Sequence, residues 1–193
     1  TCVASLSIEE LLDISGKKDE LLGDLLPMRL TYGAIQGSDK LRDSICTLYA
    51  DQRRENIVVT HGAIGANALV HETLVEPGDH VISVRPTYQQ HYSIPESYGA
   101  QVEILHLRQE CGFLPDLKEL TAMLRSNTKL IVLNNPNNPT GALMNGDYLK
   151  AFVDIVRSCG AYILCDEVYR GTNQDGDGFS PAIADIYEKG ISV

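Results

Sequence analysis

The sequence predicts an α/β fold, a three-layer αβα sandwich built on a mainly parallel sheet. Three observations lead there. Short apolar runs such as "HVISV" and "LIVLN" recur along the chain, separated by longer stretches with helical periodicity. The runs are apolar nearly throughout, as strands covered on both faces require. Strand and helix alternate in order, which implies βαβ units rather than hairpins.

Residues 1–26 read as an N-terminal helix and linker, and residues 27–193 as one large domain. Ser7 stands before "IEELLDI" with Glu10 three positions on, a capping-box pattern that opens a short helix. "KKDELLGDLLPMRL" reads as loop and linker ending at Pro27. From Gly37, "GSDKLRDSICTLYADQRR" sets Leu41, Ile45, Leu48 and Tyr49 at helical spacing behind Ser38 as cap. Strands are expected at Ile57–Thr60, His80–Val84, Val102–Leu107, Leu130–Asn134 and Tyr162–Glu167. Helices are expected between them, at about Ile64–Leu74, Gln89–Tyr98, Leu117–Leu124 and Tyr148–Ser158. "KGISV" at the end reads as the start of a further strand.

Composition narrows the partners. With 26 acidic and 16 basic residues the formal charge is −10, and no Lys/Arg cluster is dense enough to follow a phosphate backbone, so neither nucleic acid nor an anionic membrane is an expected partner. The five cysteines, Cys2, Cys46, Cys111, Cys159 and Cys165, are scattered without metal-ligand spacing, which fits reduced thiols in a cytoplasmic protein and no metal. No segment is apolar for long enough to span a bilayer.

In a parallel α/β sheet, ligands sit outside the carboxyl ends of the strands. "IVVT" is followed by "HGAIGAN", where Gly62 can make the turn and the amides of Ala63 and Ile64 would open a helix, a ready anion site. Taken alone, the glycine is better explained by an ordinary strand-to-helix turn, and His61 reads as a turn residue. After "HVISV", Tyr88 in "RPTYQQHY" could offer a flat apolar platform or serve as a rim tyrosine. Arg85 before it reads as a surface charge. After "LIVLN", "NPNNPTG" carries Pro136, Pro139 and Gly141, a loop rigid enough to aim Asn138 at a ligand oxygen, with Asn134, Asn135 and Asn137 as turn-formers. After "YILC" comes "DEVYRG": Asp166 at the end of a buried strand needs a cation or donors that this segment does not supply, and Tyr169 lies three residues on.

Taken together, "TYGAIQGSDKLRDSI", "IVVTHGAIGAN", "NNPNNPTG" and "DEVY", in that order, resemble the class I/II aminotransferases among the fold-type I pyridoxal 5′-phosphate enzymes. The motifs run from Tyr32 to Tyr169, and the last two, at the ends of successive strands, are the specific ones. The resemblance implies that Ala63 and Ile64 give amides to the cofactor phosphate and that Tyr88 stacks on its ring. It implies that Asn138 and Tyr169 bond the ring's phenolic oxygen and that Asp166 pairs with the protonated ring nitrogen. Asp166 and Tyr169 are thereby the catalytic candidates, and loss of Asp166 is expected to cripple the reaction while leaving the fold largely intact. Tyr32 would reach the phosphate of a neighbouring subunit, giving a homodimer with shared sites. The substrates implied are an L-amino acid and a 2-oxo acid, on a cytoplasmic enzyme.

The family's Schiff-base lysine follows the strand after "DEVY", and here the sequence stops at "KGISV". Lys189 precedes that strand, on the wrong end, and reads as a solvated helix-end charge. The family's phosphate and substrate-carboxylate arginines and its small domain would lie further on. Residues 27–193 are thus expected to be a cofactor-binding large domain incomplete at its C-terminal end, inactive alone. Ile64 stands where many relatives carry a hydroxyl, so phosphate binding would lean on backbone amides. A C–S lyase, cyclase or decarboxylase on the same scaffold, and a non-catalytic binding domain without the lysine, remain open alternatives.

Overall fold

The computed structural model describes residues 5–172 and 179–193; Cys2 lies outside them. The chain divides into two compact units, the first ending at Ala34 and the second running from Ile35 to Val193.

The N-terminal unit holds two helices, α1 (Ile8–Ser15) and α2 (Lys18–Leu25). The capping box forms as the sequence predicts: the Glu10 amide donates to Ser7 Oγ and the Ser7 amide to Glu10 Oε2. Gly16, left-handed at φ 66°, ends α1. α2 occupies what reads as linker. Asp19 and Glu20 complement its N-terminus and its leucines are good helix formers, which together outweigh the single Gly23.

In the second unit, α3 (Asp39–Cys46) starts at Ser38, whose Oγ accepts the Leu41 amide. The chain then runs α4 (Gly62–Leu74), β1 (His80–Arg85), α5 (Gln90–Ser97), β2 (Gln101–His106), α6 (Leu117–Met123), β3 (Thr128–Asn134), α7 (Gly146–Arg157), β4 (Tyr162–Asp166), α8 (Ile183–Ile186) and β5 (Gly190–Ser192). The strands form one parallel sheet in the order β2-β1-β3-β4-β5. Alternation along β3 explains the sandwich. Ile131 and Leu133 pack on one face with Leu120 of α6 and Leu149 and Phe152 of α7. Leu130 and Val132 pack on the other with Val70 and Leu74 of α4.

Two further expectations change. Ile57–Thr60 forms no strand: Val59 N donates to Gln36 O, and no strand of the described residues lies in register beside the segment. Lys189 is not a solvated charge, because its Nζ donates to the Gly160 carbonyl and sits 5.3 Å from the centre of the Tyr162 ring.

β1 and β2 run outward in one direction from the middle of the sheet, and β3, β4 and β5 in the other. The crevice at the carboxyl ends of β1 and β3 is therefore a topological switch point.

Candidate functional site

A cleft of about 210 Å³ opens at those carboxyl ends, lined by Ala63, Ile64, Asn67, Tyr88, Asn134, Asn138, Asp166, Val168 and Tyr169. The cofactor-contact candidates of the second unit, Ala63, Ile64, Tyr88, Asn138, Asp166 and Tyr169, all line it, while Tyr32 belongs to the N-terminal unit and is fully exposed.

One wall is the start of α4. Gly62 turns the chain at φ 74°, a left-handed conformation that favours glycine, and no side chain caps the helix. The first amides of a 13-residue helix, those of Ala63 and Ile64 among them, therefore face the cleft uncapped, where the helix dipole favours an anion. His61 is an exposed turn residue, and Arg85 is a surface charge whose guanidinium lies 5.4 Å from the centre of the Tyr92 ring.

A second wall is the loop after β3. Asn134, Asn135 and Asn137 are buried fasteners rather than simple turn-formers. Asn134 Nδ2 donates to the Asp166 carbonyl at 2.8 Å while its Oδ1 accepts the Asn138 amide, so one side chain ties the ends of β3 and β4 to the loop. Asn135 exchanges hydrogen bonds with the backbone of Met144, and Asn137 Nδ2 reaches Pro86 O and Thr140 Oγ1. The Asn135–Pro136 and Asn138–Pro139 bonds are cis. Asn138 is held by its backbone, which leaves its side chain available to the cleft.

The floor is Asp166, only 5% exposed. Its Oδ2 accepts from Asn67 Nδ2 at 3.0 Å and faces His91 Nε2 at 3.1 Å, and its Oδ1 accepts the Val168 amide at 3.2 Å. Burial alone would raise its pKa, but the hydrogen bonds from His91 and Asn67 outweigh that and hold the carboxyl below the usual range. His91 is itself fully buried, with Nδ1 against Thr87 Oγ1 at 2.9 Å. Nε2–H donates to Asp166, and Nδ1 bonds the Thr87 hydroxyl. Tyr88 meets His91 edge to face, with ring centres 6.1 Å apart. Tyr88 and Tyr169 are 45% and 40% exposed, so both present open ring surface at the rim.

Sequence reasoning missed Asn67 and His91. The signal was present in "GAIGANALVHETL", where Asn67 and His71, one turn apart, are polar residues on the buried stripe of an apolar helix. His71 shows the same pattern without a partner among the described residues: both ring nitrogens lack a hydrogen bond there, and burial, with His91 nearby, pushes its pKa down to about 4.

A family profile described as aminotransferase class I and II matches residues 18–189. An aspartate aminotransferase of Pyrococcus horikoshii is 36% identical over 143 residues, 72% of this chain and 37% of that protein. An arginine–pyruvate transaminase of Pseudomonas aeruginosa is 30% identical over 168 residues, 83% of this chain and 42% of that protein. The crystal structure of a PLP-dependent aminotransferase from Streptococcus suis matches with a TM-score of 0.93 at 46% identity, covering 98% of this chain and 50% of that one. The chain thus spans between 37% and 50% of the length of these relatives.

Proposed function

The chain belongs to the class I and II aminotransferase family, and from that premise we propose that the full-length protein is a pyridoxal 5′-phosphate-dependent aminotransferase. It would move an amino group between an L-amino acid and a 2-oxo acid, as a cytoplasmic homodimer. The observation that carries this reading is Asp166, a buried carboxylate held in its charged form with no Lys or Arg paired to it among the described residues. A cationic, flat, anion-bearing ligand is what the surrounding groups fit: helix-start amides for a phosphate, Tyr88 for a ring face, Asp166 for a ring N–H.

When bound, pyridoxal phosphate supplies an electron sink for cleavage of a bond at the amino acid's α-carbon. The residues of this chain bind and orient. The Ala63 and Ile64 amides take the phosphate without help from a hydroxyl at position 64. Tyr88 covers one face of the ring and keeps water from it. Asn138 and Tyr169 donate to the phenolic oxygen. Asp166 keeps a proton on the ring nitrogen, with Asn67 and His91 orienting its carboxylate. Residues 27–193 act as the cofactor-binding domain, and Tyr32, exposed on the N-terminal unit, is assigned to a partner's phosphate.

The test uses the full-length protein with a panel of amino acids and 2-oxoglutarate. Formation of the matching 2-oxo acid, with a visible absorbance band that borohydride abolishes, is the expected outcome. Ammonia and pyruvate from cysteine-like substrates, with no amino transfer, would replace it with elimination. Neither product nor cofactor band would overturn the reading.

A further inference from the structure

Asn67 is 1% exposed, lies on the sheet-facing side of α4, and lines the cleft. Its Nδ2 donates to Asp166 Oδ2, and its Oδ1 has no partner among the described residues. An amide half-satisfied in the interior is costly, and the apolar residues the helix carries elsewhere, Ala, Ile, Leu and Val, would bury there without that cost. Its placement makes sense through what it does to Asp166.

We propose that Asn67 is a positioning residue which, together with His91, fills both acceptor directions of Asp166 Oδ2 and so reserves Oδ1 for a ring N–H entering the cleft. An ionised carboxylate offers about four acceptor directions on two oxygens. Asn67 and His91 occupy two of them on Oδ2, and the Val168 amide takes one on Oδ1. One direction, on Oδ1, stays open. The donor type matters as much as the count. A lysine or arginine at position 67 would orient the carboxylate but cancel its charge; an amide orients it and leaves the charge to act on the ligand. The loop after β4 cannot do this alone, since Val168 supplies a single amide, and the second anchor must come from the helix packed across the strand end.

This inference rests on the cofactor reading above, and the experiment separates the two. The probe is pyridoxamine 5′-phosphate labelled with nitrogen-15 in its ring, which needs no covalent bond to the protein. Binding to the full-length wild type is followed by titration, and the ring-nitrogen shift is followed against pH. In Asn67→Leu, similar in size but without a donor, affinity is expected to fall about tenfold or more. The ring nitrogen is expected to lose its proton at a pH about one unit lower. A role confined to helix packing would leave that ring-nitrogen titration where it was. Asn67→Asp gives a second reading should the leucine variant not fold. Two carboxyls that close share one proton at low pH and both ionise as pH rises, so its affinity relative to wild type should change with pH, with His91 and His71 the other titratable groups about the pair. Wild-type affinity and an unmoved ring-nitrogen titration in Asn67→Leu, or a pH-independent ratio in Asn67→Asp, would overturn the role of Asn67. Failure of the wild type to bind the probe would overturn the cofactor reading instead.

Discussion

Replacing Asp166 with Asn removes the charge at the centre of the site with least damage to the fold. The carboxylate accepts at 3.0 Å from Asn67, 3.1 Å from His91 and 3.2 Å from the Val168 amide. Truncation to Ala would strand the Asn67 and His91 donors in the interior at about 1–3 kcal/mol each. Against a total stability of roughly 5–15 kcal/mol that is a large share, so the expectation that Asp166→Ala leaves the fold largely intact does not survive the geometry. Asn keeps the shape and one acceptor oxygen. What it loses is the negative charge. An opposite charge within about 4–6 Å moves a partner's pKa by roughly 1–3 units, each worth about 1.4 kcal/mol. Turnover by the full-length Asn variant should therefore fall by about 10- to 1000-fold. Single-turnover absorbance with excess amino acid reads the chemistry, and a thermal melt run in parallel reads the fold. A variant with near-wild-type turnover and an unchanged melt would refute the assignment of Asp166.

Three further predictions concern groups behind the site. Glu167 is buried, its Oε1 accepts the Ile183 amide at 2.7 Å, and burial pushes its pKa from 4.5 up to about 7. Because the folded value is the higher one, its contribution is complete below 4.5 and is lost as pH rises through about 7. Glu167→Gln should gain on wild type by as much as roughly 3 kcal/mol between those limits in urea titrations; a difference independent of pH would refute it. His71 is the opposite case: a folded pKa near 4 against 6.5 gives stability that is present above 6.5 and lost as pH falls through about 4. His71→Leu should abolish that loss, worth roughly 3 kcal/mol by pH 4, and equal acid sensitivity in the two proteins would contradict it. Phe152, fully buried between α7 and the sheet, should cost about 3–5 kcal/mol when cut to Ala, and a urea midpoint within error of wild type would contradict its place in the core.

What the sequence revealed of the fold depended on whether the signal was local. The four longer strands lie where their apolar runs put them, and their order along the chain was enough to imply a parallel sheet with a site at its carboxyl edge. Ile57–Thr60 has the composition of a strand too, but a strand is defined by its neighbour, and β-propensity cannot report whether one is present. α2 differs for another reason: "KKDELLGDLLPMRL" reads as loop and linker ending at Pro27, whereas a proline just past a helix marks its end, and the residues before it are free to be helical. α8 is only four residues long, too short for periodicity to register.

The site divides along the same line. Asp166, Tyr169, Asn138, Tyr88, Ala63 and Ile64 each lie just past a strand-like run, so the rule that places ligands at strand ends reaches them from sequence. The partner that Asp166 needs could not be found that way. Asn67 stands 99 residues from it and His91 75 residues from it, each on a different helix, and they meet only because α4 and α5 pack against each other at the end of the sheet. The physical requirement for donors was nonetheless readable in advance, since a carboxylate on a buried strand end must be satisfied somewhere. Polar residues on the apolar stripe of a neighbouring helix are where such a demand is met. The stripe of α4 carries two of them one turn apart: Asn67 answers the demand of Asp166, and His71, with both nitrogens unpaired, answers none among the described residues. A buried polar residue in a helix therefore nominates a position, and only the packing decides which nominee is anchored to the site.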